Sequence, residues 1–242
     1  MENINTKIDN FFSQNDLYRK FLEENGIDTE EYVQNLKDYQ HNGLRCFRIR
    51  DPKVKSIIQG SPNKVIQHPV FDDLVLLRRS VLASTLEGFK EGKITGIEAS
   101  SSFVVKAMNL GPEDKVIDLC CSPGAKLLEI ADRVGPKGLV VGNDLSKERL
   151  QICNNFLEKH QICNTVLLNE DATTLTYSDT LFDKVLCDVE CSHDGSLKHI
   201  LKFIEKCGEK KSKKIKISED EKRALIIKDK SISNKERKRR LV

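Results

Sequence analysis

The residues with the clearest chemical potential lie in the segment Val116–Lys126, which reads VIDLCCSPGAK. The apolar residues at its start predict a short strand, Pro123-Gly124 predicts a tight turn, and the apolar spacing that follows predicts an amphipathic helix. A strand-turn-helix presents backbone N–H groups and the positive end of a helix to an anion. The segment therefore predicts a ligand-binding turn.

A carboxylate follows this turn at the distance expected for a nucleotide site. The next predicted strand leads into Asp144, about 20 residues after the turn, where nucleotide-binding sheets place an acid on the ribose hydroxyls. The missing G-x-G-x-x-G argues against a dinucleotide. An adenosine with a small charged group, as in S-adenosylmethionine, fits better. The alternative is that Asp144 only caps the following helix.

Alternating strands and helices would position these groups in a parallel sheet. We predict strands at 116–119, 139–143, 165–168 and 184–188, and helices at 125–134, 147–160 and 196–204. Ligands of such sheets bind at the carboxyl ends of the strands. All four predicted strands lead into polar residues: Cys120–Lys126, Asp144, Asp171, and Asp188 with Cys191. Lys126 either binds the ligand or is a solvated helix residue.

The first 90 residues predict a small α+β domain. Helical spacing is found at 17–22 and 32–36, a strand is expected at Leu44–Ile49, and Leu74, Leu77, Val81 and Leu82 are compatible with another helix. Three basic residues accompany the strand: Arg45, Arg48 and Arg50. They either meet phosphate or line an exposed face.

Composition excludes several classes of protein. The 242 residues are 38% hydrophobic and 32% charged, and no run approaches the roughly 18 apolar residues of a membrane span. No apolar signal core opens the chain, so we expect an intracellular protein with no membrane contact. The eight cysteines then are reduced thiols, and their spacing predicts no metal site. We expect Cys120, Cys153, Cys163 and Cys187 to be small core residues.

Charge divides the chain unevenly. Residues 206–242 hold 15 Lys/Arg and 6 Asp/Glu, a net charge of +9, whereas residues 1–205 carry −6. A basic tail binds phosphate, acts as a nuclear address, or is solvated and without regular structure. We therefore predict three segments: an α+β domain at 1–90, an α/β domain at 91–205 and a basic tail at 206–242.

These motifs together resemble a known family. Asp118–Lys126, DLCCSPGAK, resembles the DLCAAPGAK signature of the Sun family of RNA cytosine-5 methyltransferases (the NOL/NOP/Sun group). Further segments match in order: Gly142–Asp144 with Arg149, Asp171-Ala172, Asp188-Val-Glu-Cys191 against D-x-P-C, and His193–Gly195. Upstream, Gly96–Ser100 and Arg45–Arg50 resemble the segment before the cofactor strand and the RNA-facing domain. The likeness spans residues 40–200.

The resemblance implies an α/β fold: a Rossmann-like methyltransferase sheet, incomplete at its C-terminal side, after a small α+β domain. The implied cofactor is S-adenosylmethionine, bound by Cys120, Cys121, Ser122, Pro123, Gly124, Ala125, Lys126, Asp144, Asp171 and Asp188. It also implies catalytic roles for Asp188 and Cys191, and RNA contacts for Arg45, Arg48 and Arg50. The implied substrate is a cytosine in a single strand or loop of tRNA or rRNA, where the base is accessible.

The chain departs from the family pattern twice. Glu190 replaces the proline of D-x-P-C, and no later Thr-Cys pair supplies the cysteine that family members add to C6 of cytosine; the only later cysteine is Cys207. In the family, the D-x-P-C cysteine helps release the product. Cys191 would then be that thiol or a substitute nucleophile. Cys191-Ser-His193 also suggests a Cys–His hydrolase, but no oxyanion loop or orienting acid accompanies it.

Two functions stay open at this point. One is an RNA cytosine-5 methyltransferase of which the chain forms most but not all. The other is a catalytically inactive module that binds RNA, S-adenosylmethionine or both and works with a partner. A half-sheet leaves an open edge and an uncovered apolar face, so we expect a longer chain, a protein partner on that edge or marginal stability. The compartment is the nucleus, the cytoplasm or the mitochondrion.

Overall fold

The computed structural model describes residues 3–59, 65–176, 181–191 and 196–210. The chain divides into two compact units, one formed by Met1–Val33 with Ser196–Val242 and the other by Gln34–Gly195. Within the described ranges, no helix is long and apolar enough to cross a membrane.

The first unit is helical. It contains α1 (Ile4–Ser13), α2 (Asp16–Glu24), the start of α3 (Thr29–Asn42) and α8 (Leu197–Lys210). Aromatic rings hold these helices together. Phe11 makes edge contacts with Tyr18 at 6.0 Å and with Phe203 of α8 at 5.9 Å between ring centroids. The helix predicted at 196–204 is thus confirmed, and it continues six residues further, to Lys210.

The second unit begins with an antiparallel sheet. Its strands are β1 (Leu44–Ile49), β2 (Val65–Gln67), β3 (Leu74–Arg78) and β4 (Ile94–Gly96), in the order β2-β3-β1-β4. Helix α4 (Pro52–Gln59) and a short 3-10 helix (Ala83–Thr85) connect them. The predicted strand β1 is confirmed residue for residue.

The helix expected around Leu74–Leu82 is wrong, because this segment forms β3. The strand pairs with β2 on one side and with β1 on the other, so it is central in its sheet. Leu74, Val75 and Leu77 are fully buried. A strand buried on both faces is apolar without alternation, and periodicity alone cannot distinguish it from a buried helix.

A parallel sheet follows in the same unit. Its strands are β5 (Lys115–Asp118), β6 (Leu139–Asn143), β7 (Thr165–Leu168) and β8 (Lys184–Leu186), in the order β7-β6-β5-β8. The accompanying helices are α5 (Ala99–Ala107), α6 (Ala125–Val134) and α7 (Lys147–Lys159). All four predicted strands and both predicted helices are confirmed, each within two residues at either end. Helix α5 was not predicted.

The strand order places the ligand crevice. From β5 the chain moves outward through β6 to β7 and then returns to the other side of β5 as β8. The order therefore reverses between β5 and β8, and open parallel sheets bind ligands at such a point, beyond the carboxyl ends of the strands. Leu127, Ile130 and Val134 fix α6 in the hydrophobic core beside this crevice.

The three-segment division of the chain stays a prediction. Strand β4 belongs to the antiparallel sheet although it follows residue 90. Residues 206–210, the first five of the basic tail, lie in α8, and residues 211–242 lie outside the described part of the chain.

Candidate active site

A glycine lets the turn after β5 pack closely against α7. The Ser122–Pro123 peptide bond is cis, and Gly124 follows with φ at +108°, a region that favours glycine. A Cβ at Gly124 would lie 2.9 Å from Cys153 Sγ and 3.2 Å from Phe156 Cδ1. A side chain at this position would therefore force the turn away from α7. Helix α6 begins at the next residue.

Backbone hydrogen bonds fix the turn over the ends of β5 and β6. Cys121 N–H donates to Asn143 O at 2.8 Å, and Cys120 N–H donates to Asp118 Oδ1 at 3.2 Å. Cys121 Sγ lies 4.0 Å from the buried Cys153 Sγ. Ser122 Oγ is buried and has no hydrogen-bond partner among the described residues.

Asp144 ties the turn to the end of β6. Its side chain is almost completely buried, with the residue 4% exposed. Ser122 N–H donates to Oδ2 at 3.2 Å, and Ser146 N–H donates to Oδ1 at 3.0 Å. The N-cap of α7 is Ser146, whose hydroxyl accepts from Arg149 N–H, so the alternative that Asp144 caps this helix is wrong. A carboxylate has about four acceptor positions, and these two N–H groups use two of them.

Three carboxylates and one lysine meet at the carboxyl ends of β5, β6 and β8. Lys126 Nζ forms an ion pair with Asp188 Oδ2 at 2.5 Å, so Lys126 is not simply a solvated residue. Asp118 is 1% exposed, and burial raises its pKa to about 7. The Cys120 N–H bond and the Lys126 charge lower that pKa, while the Asp188 and Asp144 charges raise it. Burial and like charge thus make ionisation of Asp118 unfavourable at this edge.

Asn143 links three loops at this edge, a role that sequence reasoning missed. Its side-chain N–H donates to Leu119 O at 3.1 Å and to Glu170 O at 3.0 Å, while Glu170 N–H donates to its Oδ1 at 3.1 Å. Asn169 adds hydrogen bonds from its side chain to Asp144 O and Leu145 O. An amide directly before a strand-end acid was the available signal.

Arg149 joins the turn to the segment after β8. Its guanidinium donates to Ser122 O at 2.9 Å and lies 3.3 Å from Glu190 Oε2. Glu190, the residue in place of the family's proline, therefore has an ionic partner next to the turn. Cys191 follows it and is exposed.

The remaining predicted site residues differ in their surroundings. Asp171 is exposed and accepts from the N–H and hydroxyl of Thr173, hydrogen bonds that lower its pKa. Its proposed adenine contact stays a prediction. Cys153 is buried as expected, and Cys120 is half-buried. The core prediction is wrong for Cys163 and Cys187, which are exposed just before β7 and just after β8. His193 and Gly195 lie outside the described residues.

Two of the three arginines predicted to meet RNA have internal ionic partners. Arg48 and Arg50 both donate to Asp132 of α6, and Arg50 also donates to Gly92 O at 2.8 Å. Arg48 is 5% exposed, so the alternative that these arginines line an exposed face is wrong for it. An RNA contact by Arg48 would require loss of these partners. Arg45 is half-buried and donates to Val81 O.

A comparison with protein families decides the lineage. The sequence model of the family described as 16S rRNA methyltransferase RsmB/F matches residues 105–229, just over half of the chain. The chain belongs to the RsmB/F family. The match contains Asp118–Lys126, Asp144, Asp171, Asp188 and Cys191, but it leaves out the three N-terminal arginines.

Similar proteins agree with this membership. Ribosomal RNA small subunit methyltransferase B of Yersinia pseudotuberculosis (strain IP 31758) and that of Yersinia pestis (bv. Antiqua, strain Angola) are each 29% identical to the chain over 132 residues. That alignment covers 54% of this chain and 30% of the relatives' length. The chain thus spans less than a third of the curated RsmB/F relatives that it matches.

Solved structures show the same fold. A methyltransferase homolog protein from Pyrococcus horikoshii superimposes with a TM-score of 0.57 at 21% identity, covering 77% of this chain and 67% of its own. NSun6 from Pyrococcus horikoshii, solved with SFG, gives a TM-score of 0.56 at 14% identity, covering 66% and 67%. The predicted fold class is confirmed by these likenesses.

Proposed function

We propose that this chain supplies the S-adenosylmethionine site of an RNA cytosine-5 methyltransferase that acts on rRNA or tRNA. The observation that carries the proposal is the meeting of Asp118, Asp144 and the Lys126–Asp188 pair around one glycine turn, at the strand reversal of the parallel sheet. Membership of the RsmB/F family supports the RNA substrate.

The residues of this edge fit the cofactor. Asp144 is held in place by two backbone N–H groups and keeps acceptor positions for the two hydroxyls of a ribose. Ser122 Oγ is a buried polar atom that lacks a partner among the described residues. Its hydroxyl suits the polar methionine portion, and the excess carboxylate charge suits a sulfonium and an ammonium group.

The chain's own residues would orient the reactants. When bound, S-adenosylmethionine would supply an electrophilic methyl group to C5 of a cytosine whose C6 carries a thiolate other than Cys191; loss of the C5 proton would then expel that thiolate. Lys126 holds the Asp188 carboxylate at the end of β8, between the turn and Cys191. We assign to Asp188 the positioning of the base and to Cys191 the release of product through loss of the C5 proton.

Calorimetric titration with S-adenosylmethionine tests the cofactor site. The unmutated chain should bind, and Asp144→Ala should weaken binding at least tenfold, roughly the loss of one charge-assisted hydrogen bond. Glu113→Ala, an exposed acid paired with Lys137, is the matched control and should bind normally. Absence of binding by the unmutated chain contradicts the proposal.

Methyl transfer separates the two candidate functions. The chain is incubated with RNA and S-adenosylmethionine carrying a labelled methyl group, and 5-methylcytidine is measured by mass spectrometry. Labelled product that is lost in Cys191→Ala supports the methyltransferase. Cofactor binding without product supports the binding module. We propose an intracellular location, since the substrate is cellular RNA.

A further inference from the structure

Two segments of the antiparallel sheet region are rich in arginine and lack acids. Residues 39–50 and 74–86 contain five arginines and not one Asp or Glu. Acids flank both segments directly, at Asp38, Asp51, Asp73 and Glu87. Of these, Asp51 is paired with Lys93 and Asp73 with Lys106.

Two of the five arginines are paired with acids. Arg48 and Arg50 are paired with Asp132, and Arg48 also lies 3.9 Å from Glu129. Among the described residues, the other three arginines form no ion pair with a carboxylate. These are Arg45, Arg78 and Arg79. The fold thus pairs Arg48 and Arg50 with acids, whereas the other three arginines have no carboxylate partner among the described residues.

The three uncompensated arginines lie at one end of the sheet. Leu44 at the start of β1 is paired in register with Arg78 at the end of β3, and Arg45 is paired with Leu77. Arg79 N–H donates to Gly43 O at 3.0 Å. The three lie where β1 begins and β3 ends, with the side chains of Arg45 and Arg79 on one face of the sheet and that of Arg78 on the other. We call them the basic sheet end.

Aromatic rings hold two of the guanidinium groups in place. The Arg79 guanidinium lies over the Tyr39 ring at 5.2 Å, and that of Arg45 lies over the Phe47 ring at 5.6 Å. Arg45 also donates to Val81 O, while Arg78 is exposed. A guanidinium stacked on a ring is partly ordered before a ligand arrives, which reduces the entropy lost on binding.

We propose that the basic sheet end binds the phosphate backbone of the RNA substrate. The inference rests on the proposed function for the nature of the substrate and on the charge imbalance for the place. Arginine matches phosphate oxygens with paired N–H donors, and a run without acids imposes no repulsion on a polyanion. The contact positions RNA without reading its sequence.

Salt-dependent RNA binding tests the surface. Fluorescence anisotropy with a labelled single-stranded oligouridine is measured for the full chain over a range of salt concentrations. Each phosphate contact in a single strand contributes about 0.7 to the slope of log affinity against log salt. Arg78→Gln/Arg79→Gln should therefore reduce that slope by about 1.4, whereas Arg78→Lys/Arg79→Lys should keep most of it.

A charge-matched control shows whether the place of the lost charges matters, or only the net charge of the protein. Lys20→Gln/Lys137→Gln also removes two positive charges, from exposed pairs with Glu24 and Glu113, and should leave the slope unchanged. Equal slope losses in the two double variants would overturn the proposal, because net charge alone would then explain binding. An unchanged slope in the arginine variant would also overturn it and would place RNA elsewhere, such as on the basic tail.

The test keeps this proposal separate from the proposed function. Calorimetry with S-adenosylmethionine is run on the same Arg78→Gln/Arg79→Gln protein, whose cofactor affinity should equal that of the unmutated chain. Failure of both proteins to bind cofactor refutes the proposed function, while the slope result still decides the RNA surface. Displacement of RNA by poly-glutamate at equal charge concentration would overturn the assignment to RNA in favour of an acidic protein.

Discussion

The two ends of α6 differ in the charged side chains that surround them. In its C-terminal half, Asp132 and Glu129 meet Arg48, Arg50 and Arg133 across the space to the antiparallel sheet and within the helix. At its N-terminal end, Lys126 pairs with Asp188 beside the buried Asp118 and Asp144.

The pKa values of Asp132 and Asp118 are shifted in opposite directions at the two ends. Burial alone would raise the pKa of Asp132, but the hydrogen bonds and charges of Arg50 and Arg48 outweigh it, and the pKa is lowered. Burial raises the pKa of Asp118 to about 7, and Lys126 does not offset it. Asp132 is thus held as a carboxylate by two arginines, whereas ionisation of Asp118 is disfavoured, and perturbed groups in a crevice are candidates for a ligand site. The contrast therefore separates the end of α6 that packs against the antiparallel sheet from the end that we propose binds the cofactor.

Asp132→Ala should have the largest effect on folding. The substitution leaves buried Arg48 without its closest anion, and breaking a buried pair costs about 3–5 kcal/mol. Since Asp132 is 22% exposed, we expect a loss near 3 kcal/mol in urea unfolding. Loss of cofactor binding in a variant that remains folded would show that the two ends of α6 are coupled, and would contradict their separation into two roles.

Asp118→Asn should change how stability depends on pH. The pKa of Asp118 is higher in the folded than in the unfolded state, so its contribution to stability is fully present below pH 3.8 and is lost as the pH rises to about 7. The variant should therefore match the unmutated chain near pH 3.8 and exceed it by about 2–4 kcal/mol at pH 7.5. Urea unfolding at both pH values measures this, and equal stabilities at pH 7.5 would refute the raised pKa.

Glu190→Gln should have the smallest effect. Glu190 and Arg149 are largely exposed, and exposed pairs contribute about 0–1 kcal/mol. We expect less than a threefold change in cofactor affinity, whereas Arg149→Gln, which also loses the hydrogen bond to Ser122 O, should cost more. Isothermal titration of the two variants makes the test, and a larger effect of Glu190→Gln would give this residue a role beyond the ion pair.

Local sequence was sufficient to predict the structure at the N-terminal end of α6. Strand β5, the turn and α6 follow one another without interruption, so apolar spacing and Pro123-Gly124 contain the necessary information. The position of Asp144 could be predicted equally well, because this residue follows a strand directly. The structure adds what depends on three dimensions there, including the burial of Asp118 and the Asn143 links.

The contacts at the C-terminal end of α6 could not be predicted in the same way. Arg48 and Asp132 are 84 residues apart, and no pattern in either segment indicates that they meet. The sequence pattern presents Arg45, Arg48 and Arg50 as one set, although the fold places acids against only Arg48 and Arg50. The error at β3 has a related cause, because its central place in the sheet depends on pairing with both β1 and β2.

Amide hydrogen exchange with and without S-adenosylmethionine is the most direct test of the cofactor site proposed at the N-terminal end of α6. We predict that the cofactor slows exchange at Cys120–Lys126 and at Asp144–Arg149, and leaves Glu129–Val134 unchanged. The Asp144→Ala variant should lose this protection. Unchanged exchange around the glycine turn, at cofactor concentrations that saturate binding, would contradict the proposal that the N-terminal end of α6 forms the cofactor site.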